Sequence, residues 1–254
     1  MVIHGAFEGQ MPPIEGQEDQ DTVFIFDLTL QEAREHFVQT KNFKNSLKYL
    51  ESEELLQFNP QIEDINLPTL DEVFDLFGRE VLINIEVKTP RDPANRPMYN
   101  SDKLIEILHP KLQEQFNANM IDKPAVDFSF ISSFDHDWIR RYQAFESRTN
   151  IQEQDKAKFI FLYSRKPEDV LPPASETDTW SKGVNCQPSC ASESNITRFH
   201  KNNQIVGVWI DKDVTKDEGP KLWKELMDAG INMFCTDHPL EAIAFRDTHL
   251  RSSN

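Results

Sequence analysis

Cysteine is scarce in this chain, basic residues are outnumbered, and long apolar runs are missing. Only Cys186, Cys190 and Cys235 occur in 254 residues. An odd count without pairing logic argues against a disulfide framework and fits a reducing compartment, the cytoplasm being favoured. Cys186 and Cys190 are too far apart for a Cys-x-x-Cys site, and His200 makes a poor third ligand, which argues against structural zinc. Acidic residues number 43 against 27 basic ones, for a net charge of −16. That balance excludes a broad basic face for duplex nucleic acid or for an anionic membrane. A small anionic substrate is still compatible, because local positive charge or a bound divalent cation suffices. No stretch approaches the roughly 20 apolar residues that span a bilayer. Residues 1–5 lack the basic and apolar regions of a signal peptide. The sequon at Asn195, Ile196 and Thr197 has meaning only in a secreted chain.

What is present centres on Val81 to Pro90. With period two, Val81, Ile83, Ile85 and Val87 form one apolar, β-branched face. Leu82, Asn84, Glu86 and Lys88 form the other, with three polar members of four. Such a strand suits a barrel, its outer face under helices and its inner face opening into a site at the C-terminal mouth. Glu86 and Lys88 then stand about 6.5 Å apart along the strand, a hard oxygen ligand beside a phosphate-sized cation. The alternative is an edge strand carrying a solvated Glu-Lys pair.

The remainder of the chain repeats one unit. Thr29 to Glu32 reads as a capping box opening a helix to Phe37, after a short strand over Val23 to Phe26. Thr69 to Glu72 is a second capping box, its helix carrying Leu70, Val73, Phe74 and Phe77 at helical spacing. Ser101 is expected to cap a helix to about Phe116. Further strands are expected over Val126–Ser133, Lys158–Tyr163, Gly183–Gln187, Ile205–Asp211 and Asn232–Thr236. Helices between and after them are expected near His136–Phe145, Ser194–Asn202, Pro220–Ala229 and Leu240–Asp247. Strand and helix alternate, which predicts parallel strands with right-handed crossovers. The fold class is α/β, and a TIM (β/α) barrel, with 1–254 as a single domain, fits better than a doubly wound sheet because nearly every strand shows one apolar and one mixed face. Six successive strands fall short of the eight that close such a barrel.

The order VIHG, LPTLDEVFDLFGREVLINIEVKTP, ISSFD, GVWID and AGINMFCTDHPLEAI resembles the glycerophosphodiester phosphodiesterase family over nearly the whole chain. The resemblance implies hydrolysis of glycerophosphodiesters to glycerol 3-phosphate and an alcohol, with one Mg²⁺ or Ca²⁺. It implies that Glu86 is a metal carboxylate and Lys88 holds phosphate. It makes His4 a catalytic acid–base, and Trp209 a substrate contact at the mouth. Ser133 and Asp237, at other strand ends, are further candidates, Ser133 for substrate. The substrate is then a small glycerophosphodiester or a lysophospholipid. Toxin-type phospholipases D share the barrel and metal site, but the Pro-rich loop after Lys88 and the Thr-Asp-x-Pro ending favour the glycerophosphodiester group.

The family's opening motifs, His-Arg-Gly, Glu-Asn and Glu-x-Asp, are not found in this sequence. The resemblance therefore implies a barrel without its first strand–helix–strand unit, lacking one histidine, the phosphate-binding arginine and two metal carboxylates. A lone carboxylate holds Mg²⁺ or Ca²⁺ poorly, since both require several oxygens. Two functions are thus expected as alternatives. One is an enzyme whose first segment precedes Met1. The other is an inactive binding or structural subunit, with a protein partner covering an open barrel edge.

Overall fold

The computed structural model describes residues 11, 13–17, 23–40, 43, 67–77, 82–89, 99–118, 129–152, 156–163, 181–210, 218–236 and 238–252. The VIHG stretch, residues 2–5, lies outside them, as does Asp237. Two compact units are distinguished: Met1–Val81 with Lys88–Ala125, and Leu82–Val87 with Val126–Asn254.

In the first unit, helix α1 (Leu30–Phe37) begins at a complete capping box. Thr29 N–H donates to Glu32 Oε2 at 2.7 Å, and Glu32 N–H donates to Thr29 Oγ1 at 3.3 Å. Thr69 and Glu72 repeat the exchange at 2.6 and 3.2 Å at the start of α2 (Leu70–Phe77). Arg34 joins the two helices. Its guanidinium donates to both oxygens of Glu72 at 3.0 and 2.8 Å and to the Leu67 carbonyl at 3.2 Å. A small core of Met11, Ala33, Phe37 and Leu67 lies with them. Where Val23 to Phe26 is expected as a strand, the chain instead makes a 3₁₀ turn over Ile25–Asp27. The apolar tetrapeptide is too short for periodicity to separate strand from turn. Helix α3 (Ser101–Ala118) starts at Ser101 itself, the residue expected as its cap. Asn100 Oδ1, not Ser101, accepts from the Asp102 and Lys103 amides.

The second unit holds one six-stranded sheet in sequential order, every neighbouring pair parallel. Its strands are β1 (Ile83–Glu86), β2 (Ser129–Ser133), β3 (Phe159–Tyr163), β4 (Ser181–Cys186), β5 (Ile205–Trp209) and β6 (Met233–Cys235). Helices α4 (His136–Arg148), α5 (Glu193–His200), α6 (Gly219–Asp228) and α7 (Pro239–Ser252) belong to the same unit. This is the α/β fold of a TIM barrel, with six of its strands among the described residues. Sequential parallel order follows from right-handed crossovers, each helix returning the chain to the next strand position.

The register identifies the sheet's two faces. Phe159 lies 5.2 Å from Tyr142 of α4, and Phe234 stacks on Trp223 of α6 at 6.4 Å. Their face is therefore the helix-bearing one, and Ile131, Phe161, Val184, Val206 and Val208 share it. Its burial, with Trp138, Ile139 and Tyr142 wholly enclosed, supplies most of the unit's hydrophobic stabilisation. The opposite, inner face carries Asn84, Glu86, Ser132, Leu162, Asn185, Gly207 and Trp209. A bulge at Phe159/Ile160 shifts the β3–β4 pairing beside Gly183. That residue adopts φ 151°, and a Cβ on it would sit 1.9 Å from the Ile205 carbonyl oxygen. Among the described residues no helix is long and apolar enough to cross a membrane.

Candidate functional site

Ligand sites on parallel sheets form at the C-terminal ends of strands, where loops can surround a substrate without interrupting the ladder. Glu86 is the last residue of β1 and is exposed. Its side chain points to the inner face, as the alternation of Val81 to Lys88 predicts. Its register partner is Ser132, whose buried hydroxyl donates to Asn84 Oδ1 at 2.7 Å. Asn84 and Ser132 therefore brace the strand ends on either side of the carboxylate.

Trp209 ends β5 on the same face. Its Nε1–H donates to the Tyr163 carbonyl oxygen at 3.3 Å, so the indole crosses the end of β4 to reach β3. Phe134, the residue after β2, meets it edge-on, with ring centroids 6.4 Å apart and planes at 85°. Phe134 is 42% exposed. An apolar side chain left in solvent beside a half-buried indole makes an aromatic lip suited to the carbon part of a ligand.

Ser133 requires a correction. It pairs in register with Phe161, which places it on the helix-bearing face, away from Glu86. Its hydroxyl is used internally, donating to the Val87 carbonyl at 2.6 Å and accepting from the Asp135 amide at 3.1 Å. The sequence offers Ser132 and Ser133 side by side, and only the pairing register decides which one faces inward. Asp135 also caps α4 through the Trp138 amide at 2.9 Å, so the ISSFD stretch ends a strand, exposes a ring and starts a helix within five residues.

His4 and Asp237 lie outside the described residues. Lys88 falls in the first unit, where its carbonyl oxygen accepts from the Tyr99 hydroxyl. Among the described residues, no three His, Cys, Asp or Glu side chains converge as metal ligands, and Glu86 is the one carboxylate that the register puts on the inner face. A hard divalent cation takes six or more oxygens. The described donors do not complete such a shell.

Two titratable groups near the strand ends are held neutral. Burial pulls the His136 pKa below the ordinary value, against a hydrogen bond from the ring to the Leu162 carbonyl. The imidazole packs between Phe161 and Tyr163 at 4.8 and 4.7 Å, a structural placement on the helix-bearing face. Burial, assisted by Cys190 nearby, pushes the Cys186 thiol up to about 12. It is therefore a poor nucleophile.

Sequence reasoning missed Phe134, Ser132, Asn185 and Gln187. Phe134 follows a strand end directly, and Asn185 and Gln187 alternate with Val184 and Cys186. Both signals are visible in the sequence but carry no weight until the register is known.

No protein-family model matches the chain, and no curated protein matches it. Solved structures do. One is named a "putative glycerophosphodiester phosphodiesterase" from Galdieria sulphuraria. It is 18% identical over 96% of this chain and 78% of that chain, with a TM-score of 0.56. A second, a "putative glycerophosphoryl diester phosphodiesterase" from Agrobacterium tumefaciens, is 15% identical over 94% of this chain and 79% of that chain, with a TM-score of 0.50. At such identities the likeness is one of fold.

Proposed function

We propose that this chain, which has the fold of those phosphodiesterases, is a member of the glycerophosphodiester phosphodiesterase family. Its reaction class is then hydrolysis of a glycerophosphodiester or lysophospholipid to a phosphomonoester and an alcohol. The observation that carries the reading is the shared inner face of Glu86 and Trp209, one at the end of β1 and the other at the end of β5. An acid and an aromatic ring at the C-terminal ends of parallel strands suit a ligand with a charged centre and a carbon-rich arm. Trp209 and Phe134 would pack against that arm. Lys88 would pair with a phosphate oxygen as a compact cation. His4 would carry a proton to the leaving alkoxide or from the attacking water.

A divalent cation, Mg²⁺ or Ca²⁺, is expected from the resemblance, and Glu86 is the described residue whose chemistry suits it. The test is release of glycerol 3-phosphate from glycerophosphocholine by the full chain, with Mg²⁺, with Ca²⁺ and with a chelator. The reading expects release that the chelator abolishes. Chelator-resistant release contradicts the metal requirement, and no release with either cation contradicts the catalytic reading.

A second reading draws on the single inner-face carboxylate among the described residues. It is a binding module of the same fold that holds the diester without cleaving it. Saturable binding of glycerophosphocholine without turnover would favour it.

A further inference from the structure

Ser132 is fully buried, and its hydroxyl donates to Asn84 Oδ1 at 2.7 Å. The bond decides how the Asn84 amide is turned, because a carboxamide has one acceptor end and one donor end. With the oxygen held by Ser132, the two N–H groups of Asn84 Nδ2 point elsewhere. They make no hydrogen bond among the described residues. Phe130, the register partner of Asn84, is buried and has no polar side-chain atom to offer them. Asn84 itself is exposed. It stands on the inner face two residues before Glu86, about 6.5 Å away along β1.

The reverse orientation of the amide is disfavoured. Ser132 Oγ would then accept from Nδ2, and its own O–H would need another acceptor. Ser132 Oγ makes no second hydrogen bond among the described residues, and an unmade donor in a buried position is costly. A merely solvated asparagine needs no such partner, since water satisfies either end. Here a buried hydroxyl presents the donor end of an exposed amide on the face that carries Glu86.

We propose that Asn84 is a phosphoryl-binding residue and that Ser132 is its positioning residue. Asn84 Nδ2 donates to a non-bridging phosphoryl oxygen of the diester, and Ser132 keeps that end of the amide toward it. The inference rests on the phosphodiester reading and adds two residues to it. The chemistry selects an anionic acceptor. Non-bridging phosphoryl oxygens accept hydrogen bonds, and an ionised Glu86 beside them is repulsive. A neutral donor attracts those oxygens without neutralising Glu86, which a basic side chain at the same position would do.

The test follows glycerophosphocholine with the full chain by phosphorus NMR in the presence of Mg²⁺. Line broadening reads binding of the diester, and a monoester signal reads its hydrolysis in the same sample. The variants are Asn84→Ala, Ser132→Ala and the two combined, each with its melting midpoint measured so that folded proteins are compared. Asn84→Ala is expected to weaken binding about tenfold or more, the loss of a hydrogen bond to a charged group. Ser132→Ala is expected to weaken it about threefold or more, because the released amide turns its oxygen toward the ligand in part of the molecules. In the Asn84→Ala background the Ser132 substitution should cost nothing further, since no amide is left to orient. Ser132→Cys, a weaker donor of similar size, takes the place of Ser132→Ala in the cycle if that variant does not fold. The proposal is overturned if Asn84→Ala binds the diester as tightly as the unsubstituted chain. It is equally overturned if the Ser132 substitution weakens binding to the same extent in both backgrounds, the mark of a structural role. Either result, with hydrolysis still seen, removes this inference and leaves the phosphodiester reading standing. An unsubstituted chain that neither binds nor hydrolyses the diester overturns that reading and this proposal with it.

Discussion

The Ser133 hydroxyl ties the end of β2 to the end of β1 by donating to the Val87 carbonyl oxygen at 2.6 Å. Ser133 Oγ in turn accepts from the Asp135 amide, and the Val87 amide donates to the Ser132 carbonyl at 2.8 Å. These bonds hold Glu86 level with Ser132. A slip of one residue would turn the carboxylate toward the helices. Ser133→Ala leaves the buried Val87 carbonyl without this donor and should cost about 1–3 kcal/mol in urea unfolding. A change within about 0.5 kcal/mol, the range of ordinary surface substitutions, would show that the register is fixed elsewhere.

Gly183 should be intolerant. Its φ of 151° disfavours any side chain, and the added Cβ would lie 1.9 Å from the Ile205 carbonyl oxygen and 2.8 Å from its nitrogen, both backbone atoms. Gly183→Ala is expected to destabilise by about 3 kcal/mol or more, or to prevent folding. Gly16 gives the contrast. Its φ is 82° with nothing within 4 Å, so Gly16→Ala should cost only about 1–2 kcal/mol. Equal effects of the two substitutions on the thermal midpoint would refute the close approach of β4 to β5.

Stability should depend on pH at both ends of the range. Burial holds the folded His136 pKa below its ordinary value of 6.5, and burial does the same for His109. A depressed folded pKa means that the unfolded chain binds more protons as pH falls. The stabilisation is present above about 6.5 and lost as pH drops through the folded pKa. On the alkaline side, Cys186 is raised from 9.0 to about 12, so its contribution is present below 9.0 and lost as pH rises toward 12. Thermal midpoints should therefore fall from about pH 7 to about pH 5, and His136→Gln should flatten that acid limb. An acid limb unchanged by the substitution would contradict the burial argument. Alkylation in the folded state should label exposed Cys235 first and buried Cys186 last.

Much of this was legible in the sequence where a short pattern has one physical meaning. Both capping boxes formed at Thr29 and Thr69, because side chain and backbone satisfy each other within four residues. The six strands from Ile83 to Cys235 stand where apolar alternation put them, and the two-residue period placed Glu86 and Trp209 inward. What failed depended on partners distant in sequence. Ser132 and Ser133 are adjacent in ISSFD, and only the pairing of β2 with β1 decides which of them aligns with Glu86. Asn100 displaced Ser101 as the cap of α3, since both residue types cap well and one position of offset leaves the apolar spacing unchanged. Asn185 and Gln187 show in the sequence only as polar positions alternating with Val184 and Cys186, because an orphaned acceptor exists only once the surrounding strands are packed.

The central claim is that Glu86 stands at a phosphodiester site on the inner face of the sheet. Glu86→Gln keeps the shape and removes the charge at an exposed strand end, so the thermal midpoint should stay within about 2 °C. The measurement is glycerol 3-phosphate release from glycerophosphocholine by the unsubstituted chain and by Glu86→Gln under the same divalent-cation conditions. The account predicts release by the first and a loss of about a hundredfold or more by the second. Equal rates from the two folded proteins, or no release from the unsubstituted chain, would contradict it.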